Sequence, residues 1–229
     1  MENLLREYME RGFSEAGSGN NTFPGPVVTI SRESGCPSKL IGQMLTDVLN
    51  KYGSSRETVK WRFISKEVVE GAARQLELNT TEVDFLLNSG GKGVIEDIMT
   101  SFSQSYVSSH RIRKTVTTVV KSIAGQGKVV ILGRGGAGIL QNRPDTLHIR
   151  LQAPVEWRAR EICKLRNITE KEALKCIEEN DKKRTGFIEM LIGGNFYPHL
   201  FDVTFNCSTL SKEEIVHTII GLMGIKKLI

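Results

Sequence analysis

Val27-Val28-Thr29-Ile30-Ser31-Arg32-Glu33-Ser34-Gly35-Cys36-Pro37-Ser38-Lys39 is the stretch on which the fold turns. Residues 27–30 are an apolar, β-rich run, and a Gly-containing turn follows. Residues 39–52 then place Leu40, Ile41, Met44, Leu45, Val48 and Leu49 on one helical stripe, with Gly53 as its stop. A strand that feeds a helix through such a turn aims backbone N–H groups and a positive helix terminus at one spot, the physical basis of phosphate binding. Gly35, Cys36, Ser38 and Lys39 are the candidate phosphate-binding residues, with the Lys39 ammonium as a point charge. The turn departs from GxxxxGK[ST]: only Gly35 survives, Pro37 has no N–H to give, and Ser38-Lys39 reverses the order of Lys and Ser/Thr. On the residues alone, an anion cradle and an ordinary β–α turn both stay open.

Outward from this unit the alternation repeats. Further strands are predicted over residues 61–64, 128–132, 146–151 and 203–206. A long helix carries Ile112, Val116, Val119, Val120 and Ile123 and is closed by Gly125 and Gly127. Asn79-Thr80-Thr81-Glu82, Thr169-Glu170-Lys171-Glu172 and Ser211-Lys212-Glu213-Glu214 have capping-box character, and Pro154 suits the first turn of a helix. Five apolar strands separated by helices predict an α/β fold with a parallel sheet covered on both faces. Ligands of such folds bind at the carboxyl ends of the strands. Residues 14–26, rich in Gly, Ser, Asn and Pro, form the one clear linker. Before it, Leu4, Leu5, Tyr8 and Met9 recur at helical spacing, and that face could dock on the body or on a second subunit. The expected division is an N-terminal helix and linker over residues 1–26 and one domain over residues 27–229.

A second turn, Gly133-Arg134-Gly135-Gly136-Ala137-Gly138, literally fits GxGxxG and so raises dinucleotide binding as a rival. Against it, the motif follows the third strand rather than the first, and residues 146–151 lead into Gln152 without an acid for ribose hydroxyls. Arg134 has few packing reasons to stand between glycines at a strand's carboxyl end, which makes it the sharpest single candidate.

Composition narrows the partners. The 229 residues are 39% hydrophobic and 25% charged, values of a globular chain rather than a disordered one. The formal net charge of +5 is dispersed and aromatics are only 7%, so no stacking platform for a nucleic acid polymer is expected; a solvated basic surface is the plainer reading and a cleft for small polyanions the sharper one. No apolar run reaches the ~18–20 residues that span a bilayer, and residues 1–11 carry no apolar leader core. Cys36, Cys163, Cys176 and Cys207 form no CxxC pair and lie far apart in sequence, reading as reduced thiols of a cytoplasmic protein. His110, His148, His199 and His217 show no metal-ligand spacing, so no metal-site residues are assigned.

Four segments in this order and spacing carry a resemblance: Val27-Val-Thr-Ile-Ser-Arg-Glu with its turn, Val130-Ile-Leu-Gly-Arg-Gly-Gly-Ala, Ile149-Arg-Leu-Gln-Ala-Pro-Val-Glu-Trp-Arg-Ala-Arg, and Asp181-Lys-Lys-Arg followed by Phe201-Asp-Val-Thr-Phe-Asn-Cys-Ser. Over residues 27–223 the chain resembles the cytidylate-kinase-like family of P-loop phosphotransferases. The resemblance implies a P-loop NTPase-type three-layer fold with a five-stranded parallel sheet. It also implies a helical acceptor insertion over about residues 65–105 and a short arginine-bearing lid near residues 180–195. The implied chemistry is transfer of the γ-phosphoryl group of ATP, with Mg²⁺, to a nucleoside monophosphate (CMP- or dCMP-like) or related small acceptor.

By the same resemblance, Gly35 to Lys39 would cradle the ATP phosphates, and Lys39, Arg134 and Arg184 would be catalytic. Arg113, Arg134, Asp181 and Arg184 would bind the acceptor, and Arg158 and Arg160 fall where ATP is oriented. Gly135 stands where the family's acid follows the arginine. Read as bare residues, Arg113 is also compatible with a solvated helix face and Asp181–Arg184 with a surface i,i+3 pair. The alternative function is a non-catalytic nucleotide- or anion-binding protein on the same fold, which the broken loop supports. Partners are then a nucleotide or small phosphorylated acceptor, no membrane, and a homodimer if the N-terminal helix docks on a second copy.

Overall fold

β1 (Val27–Arg32) lies at the centre of the sheet because its side chains are apolar enough to be covered on both faces: Val27, Val28 and Ile30 are fully buried. In the computed structural model of the chain, residues 25–52, 59–65 and 109–229 are described. After β1 come α1 (Ser38–Tyr52), β2 (Arg62–Ile64), α2 (Ser109–Gly125), β3 (Val129–Leu132) and the short α3 (Gly136–Leu140). Then follow β4 (Thr146–Gln152), α4 (Val155–Arg166), α5 (Glu170–Ile192), a 3₁₀ turn (Pro198–Leu200), β5 (Val203–Asn206) and α6 (Lys212–Ile225). The five strands are parallel in the order β2-β3-β1-β4-β5. Register pairs Ile30 with Leu132 on one side and with Ile149 on the other, so β3 stops level with Ile30 while β1 and β4 run on to Arg32 and Gln152.

Alternation along β1 sorts the layers. Val28 and Ile30 face α1 and α6, where Ile41, Leu45, Leu49, Ile215, Val216, Ile219 and Met223 complete the larger core. Thr29 and Ile131 face the opposite layer, where α3 lies over them through Gly136. The expected three-layer sandwich with its five-stranded parallel sheet is what the chain forms. Among the described residues no helix is long and apolar enough to cross a membrane.

Element starts follow local chemistry. Thr169 and Ser211 close complete capping boxes with Glu172 and Glu214, and Asn167, held at φ 53, ends α4. Trp61 immediately precedes β2 and is held by Asn50, whose side chain bonds both its N–H (2.8 Å) and its C=O (2.9 Å).

One expectation changes. Leu40 is not part of the buried stripe but 45% exposed, since Ile41, Leu45 and Leu49 define the inward direction of α1. The segment expected as a lid falls largely within α5, which runs unbroken for 23 residues to Ile192 because no proline interrupts it, with Gly193 as its left-handed cap. Cys36 and Cys207, distant in sequence and both free thiols as expected, face one another between the turn after β1 and the end of β5. The N-terminal helix, the Gly53 stop, the Asn79–Glu82 capping box and nearly all of the acceptor insertion lie outside the described residues.

Candidate functional site

A cleft of about 560 Å³ opens at the carboxyl ends of β1, β3 and β4, and the two turns singled out in the sequence form its floor. Side chains from β1 (Arg32) and its turn (Glu33, Cys36, Ser38, Lys39), the β3 turn (Arg134), β4 (Arg150) and α5 (Asp181, Arg184) line it. Four arginines and a lysine thus face two carboxylates, a composition that attracts polyanions.

The β1 turn is built tightly. Gly35 has φ 94, and a Cβ there would fall 2.9 Å from the Arg158 Cβ and carbonyl oxygen, so only glycine lets the turn rest on α4. Its amides are largely bonded within the chain. Glu33 N–H donates to Leu151 O (3.0 Å), Cys36 N–H to Glu33 O (3.3 Å) and Ser38 N–H to Cys36 O (2.8 Å). The Ser34 N–H donates to the Asp181 carboxylate at 2.7 Å. Ser38 is buried at the start of α1, whereas Lys39 is exposed at the edge of the cleft. The Cys36 thiol turns toward Cys207; that contact, with burial, pushes its ionisation well above the ordinary range.

The β3 turn is conformationally unusual. Gly133, Arg134 and Gly135 have φ of 72, 56 and 64, three successive left-handed residues, and Arg134 adopts this region without being glycine. At the two glycines of the turn, neighbouring side chains fill the space a Cβ would take. A Cβ on Gly133 would collide with Arg32 Nη1, and one on Gly135 with Leu191 Cδ1 of α5. Where the resemblance expects an acid, at position 135, Leu191 of α5 fills the space its Cβ would need.

Asp181 is no mere surface partner of Arg184. Beyond their 3.4 Å contact, it pairs with Arg158 at 2.6 Å and accepts from Ser34, so it ties α5, α4 and the β1 turn together. Arg158 is buried beneath the turn, donating to Ala153 O (2.9 Å) and Ser34 O (3.1 Å) and approaching Glu33 at 3.4 Å. It holds the site rather than lining it, and Arg160 is exposed. Burial lowers the Arg184 pKa, partly offset by Asp181.

The structure thus gathers Gly35, Cys36, Ser38, Lys39, Arg134, Asp181 and Arg184 around one cleft. It does not bring Arg113 there: that exposed side chain lies over Gly193 at the carboxyl end of α5, a place where helix dipoles favour cations. Residue-level reading missed Arg32, Glu33 and Arg150 as site members. Glu33 accepts from Ala153 N–H (3.2 Å) and pairs with Arg150 (3.3 Å), while the Arg150 guanidinium stacks 4.8 Å from the Phe196 ring and 5.6 Å from Phe201. The available signal was charge toward the carboxyl ends of two central strands, at Arg32 and Glu33 after the apolar run of β1 and at Arg150 in β4.

A doubly wound parallel sheet with a polyanion cleft at its carboxyl edge defines a phosphate-handling α/β protein. The chain belongs to the cytidylate kinase-like family, whose model matches residues 27–209. Among solved structures, an uncharacterized protein from Eubacterium ventriosum ATCC 27560 shares the fold, with TM-score 0.58 and 16% identity over 87% of this chain and 98% of that one. A shikimate kinase from Bacteroides thetaiotaomicron aligns with TM-score 0.48 and 14% identity, covering 87% of this chain and 98% of its own. A gluconokinase from Sinorhizobium meliloti 1021 aligns with TM-score 0.49 and 11% identity, covering 90% and 96%. No curated protein matches the chain. Membership in a kinase-like family supports phosphotransfer in general.

Proposed function

We propose that the chain transfers the γ-phosphoryl group of ATP to a nucleoside monophosphate of the CMP or dCMP kind, or to a related small acceptor. The observation that carries this reading is the convergence of the β1 and β3 turns, on neighbouring strands, upon one arginine-rich cleft. Phosphoryl transfer asks little covalent work of a protein. It asks for two phosphate groups held in line and for fixed positive charge where negative charge spreads. Lys39 and the amino end of α1 would face the triphosphate, and Arg134 and Arg184 the acceptor phosphate and the group in transit.

ATP fits the charge of the cleft. Glu33 and Asp181 are the carboxylates in reach of a Mg²⁺ ion, and arginines or backbone amides already engage both. Ser38 adds a hydroxyl at the head of α1. Such residues would hold an ion carried in on the triphosphate, which would supply positive charge against the phosphates.

A second reading, a non-catalytic nucleotide or anion binder, is favoured by the β1 turn itself, whose amides are largely engaged by Asp181 and by neighbouring carbonyls. Incubation with ATP, Mg²⁺ and a panel of nucleoside monophosphates separates the two. Acceptor-dependent release of ADP supports the transferase. Nucleotide-induced thermal stabilisation without ADP from any acceptor supports the binder.

A further inference from the structure

We infer that Cys36 and Cys207 form a redox pair: a hydroperoxide joins their sulfurs in a disulfide that pins the turn after β1 to the end of β5 and weakens nucleotide binding at that turn. Formation of the bond is independent of the phosphotransferase reading; only its effect on MgATP rests on that reading.

β1 and β5 are not neighbours in the sheet, since β4 lies between them. The two cysteines face one another because the segments that follow both strands fold over the end of β4. Glu33 N–H donates to Leu151 O (3.0 Å), which lays the turn across β4, and Cys207 N–H donates to Gln152 O (2.8 Å), one residue further on. Glu33 also accepts from Ala153 N–H (3.2 Å). Both cysteines then join the larger core, Cys207 as a buried member and Cys36 packed at its margin. Cys36 also lines the cleft, so the pair links the core to the site.

The two thiols are unequal. Cys207 and burial push the Cys36 ionisation well above its ordinary range, whereas the Cys36 thiol lowers the pKa of Cys207. Cys207 is therefore the better nucleophile. It is 7% exposed and lies beside a residue that lines the cleft. Its thiolate sulfur takes one peroxide oxygen as the O–O bond breaks, and the other oxygen leaves as hydroxide and picks up the proton that Cys207 gave up. The Cys36 sulfur then attacks the resulting sulfenic acid: the S–S bond forms, the S–O bond breaks, and the departing hydroxide takes the Cys36 proton. Two thiols and one hydrogen peroxide become one disulfide and two waters. An S–S bond of about 2.05 Å is shorter than any non-bonded approach of two sulfurs, so closure draws one segment toward the other. Cys207 is buried and tied to β4, while the Cys36 N–H reaches Glu33 O only at 3.3 Å. The turn is the part that moves, and the bond then holds it toward β5.

The test uses the full chain, reduced and then treated with hydrogen peroxide. Peptide mapping should find Cys36 linked to Cys207 within one chain, with Cys163 on α4 and Cys176 on α5 still thiols. The linked form should melt at least about 5 °C higher, because the bond closes a long loop of the unfolded chain. Calorimetry should show it binding MgATP at least about tenfold more weakly, with recovery on dithiothreitol. Cys207→Ala should bind MgATP within about twofold of the reduced wild type and keep that affinity through peroxide treatment. Mapping and melts need no variant, so they decide the matter even where Cys207→Ala misfolds. A linkage through Cys163 or Cys176, or oxidation of Cys36 and Cys207 without a bond between them, overturns the pair. Linkage with unchanged MgATP affinity overturns the weakening and leaves the phosphotransferase reading intact. If the reduced chain binds no MgATP, that reading fails, while linkage with the higher melting temperature still upholds the pair.

Discussion

The Asp181 carboxylate accepts the backbone N–H of Ser34 at 2.7 Å, so a side chain of α5 occupies an amide of the turn after β1. The same carboxylate pairs with the buried Arg158 at 2.6 Å, and Arg158 in turn bonds the Ser34 carbonyl. The turn is thereby clamped through both its N–H and its C=O. An anion entering beside Ser34 competes with a carboxylate already in place.

Asp181→Asn should therefore act in opposite directions on stability and on binding. Loss of the charged acceptor leaves Arg158 with Glu33 as its remaining carboxylate, at 3.4 Å, and should destabilise the empty protein by about 1–3 kcal/mol. Pyrophosphate should bind the variant more tightly, because one negative charge has left the cleft. Parallel thermal melts and calorimetry check both, and weaker pyrophosphate binding in Asp181→Asn would mean that the carboxylate assists the anion.

Restoring an acid after Arg134 should fail. Gly135 has φ 64 and its missing Cβ would meet Leu191 Cδ1, so Gly135→Asp combines left-handed strain with overpacking, a loss of about 2–4 kcal/mol. Adding Leu191→Ala should relieve the overpacking part, making the double variant more stable than the sum of the two losses. Additive losses in thermal melts would place the obstruction elsewhere.

Acid should destabilise the fold through His148. Thr29 Oγ1 lies 2.7 Å from His148 Nδ1, an arrangement in which the hydroxyl donates to a neutral ring, and burial lowers the His148 pKa below its ordinary 6.5. The unfolded chain then binds the extra proton more readily. Stability is fully present above about pH 6.5 and drains as pH falls toward the folded-state value. Asp202 accepts from the His148 N–H (2.6 Å) and pairs with Lys226 (2.8 Å); these contacts outweigh burial and lower its pKa, so its contribution is lost only below about 3.8. Melting temperature should fall between about pH 7 and about pH 5, and His148→Gln should flatten that fall. An equally steep fall in the variant would remove His148 as the cause.

Much of this architecture is written locally in the chain. The apolar runs of β1, β3 and β4 and the capping residues Thr169 and Ser211 each need only their neighbours to act, and the elements fall where those signals lie. Arg134 was legible for the same reason, being flanked by glycines at a strand's end. Arg32 was not, because what admits it to the cleft is the space that Gly133 leaves on a neighbouring strand. Asp181 was legible as a helix-surface pair with Arg184, while its bonds to Ser34 and Arg158 span long separations that no local pattern encodes. Leu40 was misassigned because one helical stripe does not say which edge faces the sheet.

Lys39 should matter for binding and not for folding. It is exposed at the cleft edge, so Lys39→Ala should leave the melting temperature within about 1–2 °C while weakening MgATP binding several-fold, with a shallower dependence on salt. Exchanging the order by Ser38→Lys with Lys39→Ser should instead cost stability, since Ser38 is 7% exposed and a lysine there would be desolvated. Calorimetry across a salt series, with melts on both variants, checks this.

The central claim is that the turns after β1 and β3 serve one ligand pair across a shared cleft. The most direct test is the affinity of a bisubstrate compound, adenosine joined to cytidine through a pentaphosphate, measured by calorimetry with Mg²⁺ on the wild type, Lys39→Ala and Arg134→Lys. The account predicts that it binds at least about tenfold more tightly than ATP, and that each substitution, one on either turn, removes at least about 1.4 kcal/mol. Affinity no greater than that of ATP, together with indifference to Arg134→Lys, would contradict it.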